Sequence, residues 1–174
     1  MQIMWIRGVN MTGYDVENIC CFTGHRFEND LNQEDAIRPL LDKAIDKVID
    51  AGYVVFISGM AVGTDVWAAE IIASKKKSNK DIKLICALPH PGFEKKRSEV
   101  EKLRYEKIIN YADDVVEVSE HYFRSCYQKR NTWMVDNSSL MIAAFNGEKG
   151  GTKNTIDYAR RKGKKIDNIL EMGE

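Results

Sequence analysis

Short continuous apolar runs alternate along the chain with longer segments in which apolar residues recur every three or four positions. The first run, "NICCFTG" at 18–24, ends on a turn signal. The segment "NQEDAIRPLLDKAIDKVIDAG" then places Ile37, Leu40, Leu41, Ala44, Ile45, Val48 and Ile49 on one stripe. That spacing predicts a helix closed by Gly52 as its C-cap residue. Pro39 stands early in it, where a proline costs least. "YVVFIS" reads as a strand, and 64–77 as a helix ending in a solvated lysine run. "DIKLICALP" is a strand, "KRSEVEKLRYEKIINYA" an amphipathic helix and "DDVVEVS" a short strand. "FRSCYQKRNTWMVDNS" reads as helical and "SSLMIAAFNG" as a continuous apolar strand. "TIDYARRKG" is a last helix, and "KKIDNIL" a short edge strand.

Strands that are apolar throughout, joined by amphipathic helices, predict a parallel sheet covered on both faces. The expected architecture is an α/β, doubly wound sheet of five or six strands. Residues 18–174 read as a single domain with no internal repeat or linker. Residues 1–17 are an N-terminal extension, an extra edge element, or an upstream start with Met11 as the initiator.

Charge narrows the picture. The 26 basic and 26 acidic residues cancel, so no global field draws the chain to nucleic acid or an anionic membrane. No apolar run approaches the ~20 residues of a membrane span, and the first 18 residues lack a leader pattern. Cys20 and Cys21 are adjacent, poor spacing for a disulfide framework or a zinc site. With Cys86 they lie in apolar runs, as small hydrophobes. The expectation is a cytoplasmic protein with reduced core cysteines, no metal site and no required cofactor.

In a parallel sheet, ligands sit beyond the carboxyl ends of the strands. Four turns lie there: "TGHRF" after the first apolar run, "SGMAVGTD" after the second, "LPHPGF" after the third and "FNGEKGGTKNT" after the last long one. A glycine turn running into a helix suits an anion, because the first N–H groups lack partners and the helix dipole favours negative charge. Gly59, Gly63 and Thr64 meet that need, as do Gly150, Gly151 and Thr152. The plainer reading makes the first a tight turn with Thr64 or Asp65 as the helix cap. No Walker A loop, G-x-G-x-x-G fingerprint or G-x-S-x-G elbow is present.

"TGHR", "SGMAVGTDVWAAE", "LPHPGF", "ADDVVEVS" and the stretch from "YQKRNTWMVDNS" through "GGTKNTIDYARRKG" resemble the YpsA-like family. That family belongs to the SLOG superfamily, which also holds DprA and the LOG phosphoribohydrolases. The resemblance spans roughly 19–166. It implies a Rossmann-like doubly wound sheet, mostly parallel, of five to seven strands with helices on both faces. It also implies a pocket for a nucleotide-derived ligand, with ADP-ribose and NAD-related metabolites as the expected class. The YpsA-like branch is associated with bacterial cell division and shape control, without an agreed activity. LOG enzymes carry a catalytic Glu in their glycine turn. Here Thr155 stands at that position and Asp157 two residues on. A hydroxyl does not replace the carboxylate base, which argues against LOG-type hydrolysis.

The expected ligand residues are therefore Thr23, Gly24, His25 and Arg26; Ser58, Gly59, Gly63, Thr64 and Asp65; Arg130 and Asn131; and Gly150, Gly151, Thr152 and Thr155. Several have a plain structural alternative. Asp65 caps its helix or accepts from a ribose hydroxyl. Arg26 reaches a phosphate or forms a surface ion pair. Arg130 binds ligand or pairs with a carboxylate such as Asp136. His25, Trp67, Trp133 and Met134 read first as packing, the last two also as dimer contacts. The leading expectation is a cytoplasmic sensor for a nucleotide metabolite, regulatory in cell division or stress, with a protein partner or a homodimer left open. The alternatives are an N-glycosidic or phosphoribo-hydrolase, and a DprA-like single-stranded DNA binder. The zero net charge disfavours the last.

Overall fold

The computed structural model describes residues 4–7, 13–26 and 31–171. The first strand is β1 (Met4–Arg7), followed by β2 (Ile19–Gly24) and α1 (Leu31–Asp50). Next come β3 (Val55–Ser58), α2 (Thr64–Lys75), β4 (Lys83–Leu88) and α3 (Glu99–Tyr111). The chain continues through β5 (Asp114–Glu117), α4 (Cys126–Asp136), β6 (Leu140–Ala144), α5 (Gly151–Arg161) and β7 (Lys165–Asn168). All seven strands form one sheet in the order β1-β5-β4-β3-β2-β6-β7, with every pair parallel.

The period of two along each strand explains the continuous apolar runs. Cys20 and Phe22 face one core with α1, α2 and α3, while Ile19 and Cys21 face a second with α4 and α5. Ile19 to Phe22 are therefore each buried against one helical layer or the other, and polar residues are excluded from that stretch of β2. Helix α2 packs against α1, α3 and the sheet. It buries residues almost all round, Trp67 included, as a helix in the middle of a layer must. Met134 belongs to the second core, with Trp133 at its margin.

One expectation changes, and one alternative is selected. Pro39 lies inside α1 and not in its first turn. It and Asp35 are on the exposed side, where the carbonyl that loses its helical partner can turn to water. The N-terminal segment supplies an edge strand, β1, in register with β5 (Trp5↔Val115). Met11 lies outside the described residues.

The four cysteines are buried and free. Burial pushes the Cys21 and Cys86 thiols up to about 12 and raises Cys20 as well, so they remain neutral core groups. Among the described residues no cluster of metal-ligating side chains is present, and no helix is long and apolar enough to cross a membrane.

The strand order fixes where a cleft forms. From β2 the chain winds through β3, β4 and β5 on one side, then crosses back so that β6 and β7 lie on the other. The direction reverses between β2 and β6, and the turns leaving those strands diverge to opposite faces.

Candidate functional site

Gly24 ends β2 at this reversal. A Cβ there would stand 2.2 Å from Thr64 Oγ1, so only glycine lets the start of α2 press against the strand end. Buried Thr64 donates to the His25 carbonyl at 3.4 Å. Thr152, in the first turn of α5, donates to the Gly24 carbonyl at 2.9 Å. His25 ties the same turn to β6. Its N–H donates to Ala144 O at 3.3 Å, its Nε2 accepts from the Asn146 amide at 3.2 Å, and its ring stacks on Phe145 at 5.7 Å. Three of the predicted turns thus meet at the end of one strand.

The turn after β3 is built from its own polar side chains. Ser58 Oγ accepts from the Met60 amide at 3.1 Å and donates to Asp65 O at 2.8 Å. Met60 holds a positive φ of 57° in the core, a conformation unusual for a side chain of that size. Gly63, at φ 90°, is the N-cap of α2, and no side chain caps it. The expected capping by Thr64 or Asp65 is therefore replaced. The Asp65 carboxylate turns back to the Ala61 amide at 3.4 Å and faces Arg130 across Gly59. A Cβ on Gly59 would lie 2.7 Å from Asp65 Oδ2 and 2.8 Å from Arg130 Cζ. Since Met60 and Ala61 spend their amides inside the turn, the expected backbone cradle over 59–64 lacks those two donors.

Arg130 is 3% exposed. It donates from Nε to Asn131 Oδ1 at 2.8 Å, and from Nη1 to the carbonyls of Gly59 and Ala87. Asp136, its alternative partner in the sequence, is taken by Tyr158 and Lys162. Burial pushes the Asp65 carboxyl above its ordinary range, against the pull of Arg130. Burial likewise pushes the guanidinium down, against the pull of Asp65. Asn131 is fixed in turn by donating to Thr155 Oγ1 at 3.0 Å, while Thr155 donates to Gly151 O at 2.8 Å.

These residues wall a cleft of two lobes. The inner lobe, about 270 Å³, lies between the ends of β2, α2 and α5 and is lined by Thr23, Gly24, His25, Asp65 and Thr152. The outer lobe, about 630 Å³, runs between α4 and α5, lined by Arg124, Tyr127, Gln128, Asn154, Asp157 and Arg161. Arg26, Arg130, Asn131 and Gly151 line both. Of the other expected residues, Ser58, Gly59, Gly63, Thr64 and Thr155 are buried behind the wall, and Gly150 is the exposed N-cap of α5.

The residues that line the outer lobe alone were not among the expected ligand residues, although a signal exists. Arg124, Tyr127, Gln128 and Asn131 on one side, and Gly151, Asn154, Asp157 and Arg161 on the other, recur at helical spacing. Each row alone reads as a solvated helix face. Only the packing of α4 beside α5 makes the pair a groove. Thr155, where a LOG enzyme has its Glu, is buried and committed to Asn131 and Gly151. Asp157 hydrogen-bonds Lys153, which holds its carboxyl below the usual range.

The model of the YspA SLOG family matches residues 9–171. The chain is 33% identical over 118 residues to the uncharacterized SPbeta prophage-derived protein YoqJ of Bacillus subtilis (strain 168), covering 61% of this chain and 69% of that one. It is 27% identical over 141 residues to a UPF0398 protein of Bacillus cereus (strain ATCC 14579), covering 79% and 76%. In three dimensions it is similar to DNA processing protein A from Helicobacter pylori, described for its single-stranded DNA binding mode. The TM-score is 0.59 at 15% identity, covering 87% of this chain and 64% of the other, a likeness of fold. A match over nearly the whole chain, on a parallel sheet whose glycine turns meet at the strand reversal, places this protein in the YspA SLOG family.

Proposed function

We propose that the cleft binds a nucleotide-derived metabolite of the ADP-ribose or NAD-related class, and that the protein is a sensor of that ligand. One observation carries the reading. The N-terminus of α5 and four arginines, Arg26, Arg124, Arg130 and Arg161, line one cleft at the strand reversal. A helix N-terminus and fixed guanidinium groups are the groups that hold phosphate. Asn131 and Asp65, each held in place, supply a donor and an acceptor for sugar hydroxyls. The wall holds a carboxylate and an amide in the service of positioning, without a paired nucleophile and base, which favours binding over hydrolysis. The regulatory role, in cell division or stress, rests on the family resemblance alone.

Thermal melting with ADP-ribose, NAD, AMP and ATP tests the reading. A ligand at 100 times its Kd adds about 2.7 kcal/mol, a rise of roughly 5–10 °C for a domain of this size. The rise is expected with one class and is expected to vanish in Gly151→Asp, which sets a carboxylate in both lobes. No rise with any of the four removes the proposal.

A second reading, single-stranded DNA binding, is favoured by the fold neighbour and by the four arginines that line the groove between α4 and α5. It predicts a gel shift of an oligonucleotide that weakens steeply with salt.

A further inference from the structure

Beside the outer lobe stands a group of rings that the phosphate reading does not use. His90, in the turn after β4, is its hub. Its ring lies edge-on to Tyr122 (5.4 Å, 79°), Tyr127 (6.0 Å, 90°) and Phe93 (6.3 Å, 80°). The hub is anchored. His90 Nδ1 lies 2.9 Å from the Pro91 carbonyl, and Phe93 packs edge-on to Tyr105 at 5.7 Å, both buried in the core. Tyr122 is 64% exposed, and half-buried Tyr127 packs one side against the first core while lining the cleft. Neither Tyr122 nor His90 belongs to either core cluster. Rings held in fixed orientation by a buried anchor, yet turned to water, are poorly explained by packing. Stacking of a planar apolar group on them returns the exposed area.

The neighbours of Tyr127 say which planar group. Arg26 lies over its ring at 5.6 Å and also lines both lobes beside Gly151. One guanidinium therefore spans the aromatic ledge and the anion site. A molecule filling both must carry a flat, uncharged π-face at one end and a phosphate at the other, which is the build of a nucleotide. Resting on the phosphate-binding reading above, we infer that Tyr127, Tyr122 and His90 form a base-stacking shelf. The ligand is thus a nucleoside phosphate whose base is retained on binding, and not a sugar phosphate. Stacking is tolerant of base identity because every base has a π-face, so the shelf sets class more than sequence.

Isothermal titration of ribose 5-phosphate, AMP, GMP, CMP and UMP separates the two claims. In the unaltered protein at least one nucleoside monophosphate is expected to bind about tenfold or more tighter than ribose 5-phosphate. Tyr127→Ala is expected to abolish that preference, with Tyr122→Ala reducing it by roughly threefold and Tyr127→Phe retaining it. Ribose 5-phosphate should bind all variants alike. If ribose 5-phosphate binds as tightly as every nucleotide, or the preference survives both alanine variants, the shelf is overturned while the anion site stands. A Tyr127→Ala protein that also loses ribose 5-phosphate makes Tyr127 a scaffold residue and likewise overturns the shelf. Absence of binding by all five compounds overturns the shelf, and the phosphate reading falls with it only if ADP-ribose and NAD also fail to bind.

Discussion

Two groups of arginine and carboxylate in this molecule, one on its outer face and one behind the cleft, differ in what burial does to them. On the outer face of α1, α2 and α3, Arg104 donates to Glu70 at 2.7 Å and to Glu34 at 2.7 and 3.0 Å, while Arg38 reaches Glu70 at 2.5 Å. The Arg104 hydrogen bonds hold Glu34 below its ordinary range. Burial works against the charge of Glu70, yet the bonds from Arg104 and Arg38 prevail and its carboxyl is also lowered. At the cleft, Asp65 and Arg130 are buried, and burial prevails. The same chemical pair is a brace on the surface and a held cost beneath the ligand cleft. Partial solvation makes the difference: the outer charges keep part of their water, whereas Arg130 exchanged it for backbone carbonyls and Asn131 and Asp65 for the Ala61 amide, each feeling the other only as a nearby charge.

Arg130→Met breaks the comparison hardest. It leaves Asp65 buried without its counter-charge, a loss of about 3–5 kcal/mol. The melting temperature should fall by roughly 6–20 °C. The double variant with Asp65→Asn should recover part of that fall, and a double that melts no higher than the single would show that the pair is not coupled.

Glycine contrasts come next. Gly24→Ala drives a Cβ into Thr64 and is expected to cost about 1–3 kcal/mol, as overpacking does. At Gly151 the added Cβ meets nothing within 4 Å. Gly151→Ala should therefore melt as the unaltered protein does. Equal melting of the two variants would deny the close approach of α2 to β2.

Arg104→Ala removes four hydrogen bonds to two carboxylates, Glu34 and Glu70. Pairs of this kind contribute up to about 1 kcal/mol each, so a fall of a few degrees is expected, shrinking in high salt. A fall as large as that of Arg130→Met would erase the contrast between the two regions.

The smallest effect is in the pH dependence. Asp65 has a raised pKa, so the folded state binds its proton more firmly than the unfolded chain. Its contribution therefore falls as pH rises from the ordinary aspartate value, near ~3.9, to the raised one. Glu34 and Glu70 are lowered. Their contribution is present above the ordinary glutamate value of ~4.3 and is lost as pH falls through the lowered range. Urea denaturation across pH 3–7 should show Asp65→Asn flattening a decline on the upper side and Glu70→Gln flattening a loss on the acid side. The reverse assignment would refute the contrast.

The sequence made some of this legible, for reasons that can be named. "ICCF" and "LMIAA" sit between two helical layers, so their uniform apolarity reports burial on both faces directly. The glycine turns after β2, β3 and β6 were visible because a backbone that approaches another element closely has few residue choices. What stayed hidden depends on distant pairing. Four residues of β1 carry no period that could announce their partner. Asp65 was legible as a helix-start acid, but its orientation toward Arg130 follows from Gly59 lying between them. The ring cluster joins the turn after β4 to the segment before α4, and only the fold brings His90 to Tyr122.

The bond from Thr152 to the Gly24 carbonyl joins residues 128 positions apart. Synthesis delivers β2 early and β6 and α5 late, and no part of the cleft's far wall exists until they emerge. Contacts of such long separation close late and slowly. During that interval the partners of β2 on its β6 side are absent, and the strand edge stands open to other chains. On the binding reading proposed above, a ligand that needs both walls binds only finished molecules, so it offers the open edge of β2 no cover during that interval.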